Sequence, residues 1–216
     1  MLGIIGASNE TPLTIGSGNK EMHLVLLSLA NIDAGVCMKA TSHAFTLAAY
    51  LPIPKFVNVS PQVQAILSAR IFHICLDIIT VNLKHATVHG IAMSDPSGKV
   101  RICHTPLASW IVDLPEQRMI ACVLANQSPF TTATSDQFGD YHCYPRRTWE
   151  YTLNLITQAC SFTNPVSIAA FGKTCQSFGL NGIHQPFWRD WGHADPPKFL
   201  TPDALHAFHK FFLTTH

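Results

Sequence analysis

One long amphipathic segment constrains the fold of this chain more than any other feature. Residues 60–83, SPQVQAILSARIFHICLDIITVNL, carry apolar side chains at helical spacing, with Ser60 as a candidate N-cap and Pro61 suited to the first helical position. Apolar segments typical of buried strands precede and follow this helix, at 2–8, 22–32 and 106–117. The order of strands, long helix, strands and further helices predicts a mixed α/β sheet covered by helices.

The other segments are assigned by their turn and helix signals. Residues 40–56 run into Pro52 and Pro54, which end any helix there and give an extended exit. Residues 88–105 predict a hairpin that turns at Asp95-Pro96-Ser97-Gly98. The remaining predictions are a strand at 118–125, an irregular polar segment at 126–145, and helices at 147–160, 166–178 and from about 202 onward.

Composition excludes several classes of protein. Hydrophobic residues make up 47% of the 216 residues and charged residues only 12%, which argues against disorder. The net charge of +1 gives no field that steers the chain to nucleic acid, and Arg146-Arg147 is the only basic pair that stands out. No segment has the pattern of a signal peptide or a membrane span, so no membrane partner is expected. Seven cysteines without a Cys-x-x-Cys pair predict reduced thiols and an intracellular protein.

Asp113 is a candidate functional acid. It stands at the carboxyl end of a predicted buried strand, directly before Leu114 and Pro115. A carboxylate at the end of a buried strand is a common position for a functional acid. An Asp before Leu-Pro is equally typical of a residue that forms a turn. The sequence leaves both interpretations open.

A second candidate is the segment Thr201–Lys210, TPDALHAFHK. Thr201 suits an N-cap, and Asp203 in the first turn favours the helix dipole, which is a complete structural account of both residues. Asp203 and His206 are three residues apart and can meet on one side of a helix. His206 and His209 have the same spacing and could share a metal ion, but a site needs further ligands.

Taken together, these segments resemble the Plavaka-type transposases of fungal mobile elements, which are relatives of the CACTA group. The similarity extends over most of the chain in the family's order. Its most specific parts are Val112–Gln117, VDLPEQ, which is similar to a Gly-Asp-Tyr-Pro-Glu-Gln stretch, and Thr201–Lys210, which matches a Thr-Pro-Asp-x-x-His-x-x-His-Lys helix.

The resemblance implies a fold and a chemistry. It implies an RNase H-like mixed β-sheet flanked by helices, in which three carboxylates hold two Mg²⁺ ions about 4 Å apart for phosphodiester transfer during cut-and-paste transposition of DNA. Asp113 would occupy the position of the second acid. Asp203, His206 and His209 would form a family motif between the second and third acids. The partners of intact relatives would be the transposon ends and other transposase subunits, and their expected location is the nucleus.

The chain departs from this family pattern at several positions. The first acid is expected in the stretch ASNETPLT, where Asn9 replaces it; the adjacent Glu10 points to the other face of a strand. Ser128 and Thr131 stand where the family carries a Cys-x-x-Cys pair, so a zinc site there would be lost. The third acid would lie beyond residue 216.

These departures predict a truncated, degenerate transposase core that is catalytically inactive and binds no Mg²⁺ productively. The fold would be incomplete at its C-terminal side, with a sheet and long helix at 1–125, an irregular and helical insertion at 126–200 and the Asp-x-x-His helix at 201–216. Two alternatives remain open. One is a non-catalytic module that binds DNA or transposase subunits; the other is an unrelated metal-binding protein that uses His206 and His209.

Overall fold

A five-stranded mixed sheet lies at the centre of the computed structural model, which describes residues 1–12, 21–37 and 39–202. Its strands are β1 (Ile4–Pro12), β2 (Glu21–Leu29), β3 (Thr46–Leu51), β6 (Leu107–Val112) and β7 (Leu200–Pro202). They lie in the order β3-β2-β1-β6-β7. The first three strands form an antiparallel meander, β6 runs parallel to β1, and β7 runs parallel to β6. The predicted mixed α/β sheet is therefore confirmed.

One face of this sheet packs into the hydrophobic core. Val25, Trp110 and Val112 are almost completely buried, whereas their neighbours along each strand are less so. This period of two is the pattern of a sheet that packs on one side. The core continues from the sheet into the second half of the chain, where Phe171, Trp188 and several other apolar residues are fully buried.

The long helix predicted from 60–83 is confirmed as α2 (Pro61–His89), and it extends six residues further. Ser60 occupies the N-cap position, although its side chain makes no capping hydrogen bond. Gly90 follows the last turn with a φ of 73°, which favours glycine and ends the helix. By length and composition α2 could cross a membrane, but its inner face, with Phe72 and Leu76, is part of the core on the sheet.

The helix is followed by the predicted hairpin, formed by β4 (Ile91–Ser94) and β5 (Val100–Cys103). Asp95 closes the turn, because its carboxylate accepts hydrogen bonds from the backbone N–H groups of Ser97 and Lys99 at 2.9 and 3.0 Å.

Two further helices, α4 (Trp149–Phe162) and α5 (Ile168–Ser177), confirm those expected near 147–160 and 166–178. Two short helices, α1 (Ala34–Cys37) and α6 (Pro196–Phe199), have four residues each.

Two sequence-based predictions are wrong. The apolar segment 118–125 is not a strand, because α3 (Leu114–Ile120) covers its first three residues and a turn follows at Cys122. Asp113 caps that helix and Pro115 lies in its first turn, where a missing N–H costs nothing. Thr201 and Pro202 do not begin a helix either, since they pair with β6 as the edge strand β7, a position that tolerates proline. The rest of the predicted helix, 203–216, lies outside the described residues.

A buried histidine joins α2 to the segments that cover it. His73 is 1% exposed; its Nε2 lies 3.2 Å from the carbonyl oxygen of Met119, and its Nδ1 accepts a hydrogen bond from the N–H of Phe187 at 3.1 Å. Only a neutral ring can donate through one nitrogen and accept through the other. Burial lowers the pKa of His73 from 6.5 to about 4.

This arrangement makes stability depend on pH. Between pH 6.5 and about 4 the unfolded chain binds a proton at residue 73 that the folded chain does not, so stability falls as the pH is lowered through this window. His73→Gln should reduce the slope of unfolding free energy against pH, measured by urea denaturation at a series of pH values. His85→Gln, at an exposed position on the same helix, is the control and should keep the wild-type slope. Equal slopes in all three proteins would contradict the prediction.

Candidate functional site

A cavity of about 320 Å³ lies where β1 and β6 approach their carboxyl ends. The two parallel strands pair Gly6 with Trp110 and Ala7 with Ile111. Continuing this register by two residues brings Asn9 level with Asp113. Both residues line the cavity, and the other lining residues are Ala7, Ser8, Leu24, Leu26, Ile111 and Val112. Two candidate residues that are 104 positions apart in sequence therefore share one site.

Asp113 also has a structural role in this site. It follows the last residue of β6 and is the N-cap of α3, where its Oδ1 accepts a hydrogen bond from the N–H of Glu116 at 3.0 Å. Such a cap satisfies one of the N–H groups that a helix leaves unpaired at its start. Asparagine is an equally good N-cap, so Asp113→Asn removes the charge without removing the cap.

Asn9 and Glu10 belong to opposite faces of β1. Asn9 is exposed, pairs with Leu24 of β2 and lines the cavity. Glu10 pairs with His23 and, by strand alternation, lies on the side of Ser8. Partial burial, and then the hydrogen bond and charge of Glu21, raise the pKa of the Glu10 carboxyl. Glu10 is therefore not a substitute for a carboxylate at position 9.

A network of polar side chains lies behind the cavity. The indole Nε1 of Trp110 donates to Ser8 Oγ at 2.9 Å, and Ser8 Oγ donates in turn to Glu116 Oε1. The side chain of Glu116 is only 10% exposed, and His23 Nε2 lies 3.5 Å from the same oxygen. These contacts hold the first turn of α3, and with it Asp113, against β1 and β2.

The role of Glu116 is not evident from the VDLPEQ stretch to which it belongs. An acid three residues after an N-cap is nevertheless a recognisable signal for the start of a helix. The partner Ser8 is 108 residues away, and no spacing pattern connects the two.

Ser128 and Thr131 have local roles in the loop that follows α3. Ser128 Oγ accepts hydrogen bonds from the N–H groups of Phe130 and Thr131 at 3.2 and 3.1 Å. Thr131 Oγ1 accepts from the N–H of Ala133 at 3.4 Å. Both hydroxyl groups thus stabilise the turn, and hydroxyl oxygens are poor zinc ligands.

The basic pair Arg146-Arg147 is not a phosphate-binding patch. Arg147 is 3% exposed, and its Nε donates to the carbonyl oxygens of Ser128 and Thr131 at 3.0 and 3.2 Å. Arg146 donates to the carbonyl oxygen of Pro197 at 3.1 Å. Phosphate binding needs basic side chains clustered on the surface, and Arg147 is committed to holding the loop.

The family-motif residues Asp203, His206 and His209 lie outside the described residues. The residue before Asp203 is Pro202, which pairs with Val112, the residue before Asp113. Within residues 1–12, 21–37 and 39–202, no three or more His, Cys, Asp or Glu side chains form a group that could hold a metal ion.

The donors of the cavity do not fit a pair of Mg²⁺ ions. Mg²⁺ prefers carboxylate oxygens in a near-octahedral arrangement, and a two-metal site needs several of them. Of the side chains that line the cavity, Asp113 supplies one carboxylate and Asn9 a neutral amide. The site can therefore offer a single charged ligand.

The chain matches a known protein family over its full length. The sequence model described as Plavaka transposase matches residues 1–216, the whole chain. No curated protein and no solved structure shows significant similarity to the chain.

The buried network makes a prediction about Glu116. Glu116→Ala leaves the Ser8 hydroxyl without its acceptor in a nearly dry environment, which should cost about 1–3 kcal/mol of unfolding free energy, measured by urea denaturation. Glu150→Ala is a matched control, because Glu150 is also in the first turn of a helix but is exposed. Its cost should stay within about 0.5 kcal/mol. If both variants lose the same stability, the network contributes nothing beyond the helix dipole.

Proposed function

Because the chain belongs to the Plavaka transposase family, we propose that it is a transposase core with an incomplete metal site, and that it has no strand-transfer activity of its own. One observation carries the proposal: Asn9 shares a cavity with Asp113, at the position where the family pattern leads us to expect a carboxylate. Asp113 is then the remaining acid of this site, and the carboxylate expected at position 9 is replaced by the amide of Asn9.

The sheet supports an RNase H-like assignment for this core. An antiparallel meander of three strands is followed by two strands parallel to the first, in the order β3-β2-β1-β6-β7. In such a sheet the first and the fourth of its strands along the chain, here β1 and β6, are neighbours, so side chains at the same level of the two strands meet. Asn9, three residues before the end of β1, is level with Asp113, which directly follows β6.

Electrostatics explains why one amide is sufficient to abolish metal binding. Each Mg²⁺ must give up part of its hydration shell, and anionic ligands compensate for this cost. Replacing a carboxylate by an amide keeps an oxygen donor of the same size but removes its charge. Two dications then face one formal negative charge from Asp113, so their mutual repulsion is not compensated.

A non-catalytic binding role is the second candidate, and the structure favours a protein partner over DNA. The net charge is +1 and the Arg147 guanidinium is buried among carbonyl groups. By contrast, several large apolar side chains of α2 are exposed. An apolar surface without clustered basic groups suits a protein surface better than a phosphate backbone.

Restoring the carboxylate should restore metal binding. We expect Asn9→Asp to bind Mn²⁺ at least about tenfold more tightly than wild type in isothermal titration, a difference of about 1.4 kcal/mol. Adding Asp113→Asn to Asn9→Asp should abolish the gain while keeping the cap of α3. Asn164→Asp is the matched control, because it adds the same charge at an exposed turn that already uses its side-chain oxygen.

Two results would contradict this proposal. If wild type binds Mn²⁺ as tightly as Asn9→Asp, position 9 is not the defect of the site. If Asn9→Asp gains affinity that survives Asp113→Asn, the two positions do not form one metal centre. Circular dichroism of each variant establishes that the compared proteins are folded.

A further inference from the structure

Two histidines lie one turn apart at the carboxyl end of α2. His85 and His89 are both exposed, and their ring centroids are 4.4 Å apart with the ring planes inclined by 38°. Residues four positions apart differ by about 40° around a helix axis, so both side chains leave the same face. Two histidines at this spacing on a helix are the arrangement with which many zinc enzymes hold their metal ion.

Contacts on the inner side of α2 fix the turn that carries the pair. Ala86, between the two histidines, is only 5% exposed. Thr87 Oγ1 lies 2.6 Å from the carbonyl oxygen of Thr105 and accepts a hydrogen bond from the indole Nε1 of Trp191 at 3.0 Å. The backbone is therefore held before any ligand arrives. Binding then orders only the bonds of the two side chains, which lowers its entropic cost.

The pair fits two adjacent positions of a tetrahedral zinc ion. Bonds from zinc to imidazole nitrogen are about 2.0–2.1 Å long, which places two ligating nitrogens about 3.4 Å apart. Rings whose centroids are 4.4 Å apart reach this separation by rotation about their side-chain bonds. Imidazole suits zinc, copper and nickel, whereas Mg²⁺ prefers oxygen ligands. The two histidines therefore favour a transition-metal ion over the ion expected beside Asp113.

The charges of the groove beside the pair are balanced. This groove of about 500 Å³ is lined by both histidines and by Asp77, Lys84 and Asp190. Lys84 contacts Asp77 and lies 2.6 Å from Asp190, while Arg189 lies 2.8 Å from Asp77. The lysine that lines the groove is thus paired with carboxylates, and its charge does not repel a cation. The Asp190 side chain is 55% exposed, so it can accept hydrogen bonds from water molecules bound to an ion.

The end of α2 adds a favourable electrostatic contribution. His89 is the last residue of the helix, and Gly90 follows it as the C-cap. The unpaired carbonyl groups at the end of a helix carry a partial negative charge, which favours a cation near the last turn. An ion held by the two imidazoles would lie beside this turn.

We propose that His85 and His89 together bind a divalent transition-metal ion such as Zn²⁺. The two imidazoles fill two coordination positions and water fills the others, so the affinity lies below that of a structural site with four protein ligands. Within the described residues no three or more potential ligands form a group, which agrees with a site of only two protein ligands. The proposal is independent of Asn9 and Asp113, because they line a different cavity.

Modification of histidines with diethyl pyrocarbonate tests the proposal on the wild-type chain. Trypsin cleaves after Lys84 and Lys99, and the peptide 85–99 contains His85, His89 and no other histidine. With Zn²⁺ at ten times its dissociation constant, modification of this peptide should slow about tenfold, because coordination blocks the reactive nitrogens. Mass spectrometry measures the rate. The exposed His43, which precedes β3, is the internal control and should react equally with and without zinc.

Variants show whether the two imidazoles act as one chelate. In isothermal titration with Zn²⁺, His85→Gln and His89→Gln should each weaken binding at this site at least about tenfold, and the double variant hardly more. His43→Gln is the matched control and should bind as wild type does. Cys143→Ser, which removes an exposed thiol, should also leave the affinity unchanged. All four positions are exposed or half-buried on the surface, and circular dichroism establishes that each variant is folded.

Four results overturn the proposal. Equal modification of the peptide 85–99 with and without zinc shows that no ion is held there. Protection of His89 that survives His85→Gln shows binding to one ring alone. Protection by Mg²⁺ as strong as that by Zn²⁺ identifies oxygen ligands instead of imidazoles. Zinc binding that is lost in Cys143→Ser and kept in His85→Gln assigns the ion to a thiol.

Discussion

The parallel pairing of β1 with β6 is the constraint on which the rest of this structure depends. Parallel neighbours need a long crossover connection, and β2, β3, α2 and the β4–β5 hairpin supply it between Pro12 and Leu107. The pairing places Trp110 over Gly6, where any Cβ would lie 2.3 Å from the indole ring. It also brings Asn9 of β1 level with Asp113 at the end of β6, so both residues line one cavity.

The contacts that position Asp113 beside the cavity come from the core side of the sheet. Trp110, Ser8 and Glu116 form a chain of hydrogen bonds from the core to the first turn of α3. This chain keeps Asp113 at the end of its strand and in its capping role. The side chain at position 9 is not a member of this chain of hydrogen bonds. It determines how many charged ligands the cavity can offer, together with Asp113.

Local patterns in the sequence were enough to predict the elements with strong periodicity. The helix that begins at Pro61 and the turn at Asp95 were found because their signals lie within a few residues. The run RMIACVLA was misread because a short apolar segment fits a buried helix end as well as a strand. β7 has only three residues and exists through pairing with β6, about 90 positions earlier, which no local pattern reveals.

The same limit applies to the site. Asp113 could be predicted from its position at the end of a strand, whereas the contact of Glu116 with Ser8 depends on tertiary structure alone. The exposure of Ile78 could not be predicted either, because hydrophobic periodicity does not distinguish a buried apolar position from an exposed one.

Anomalous diffraction from crystals of Asn9→Asp grown with Mn²⁺ would test the central claim most directly. The claim is that positions 9 and 113 are two ligands of one metal centre in which the amide is the defect. The account predicts an anomalous peak between the carboxylates of residues 9 and 113, and no peak there in wild-type crystals treated identically. A peak at another group of side chains, or an equal peak in wild type, would contradict it.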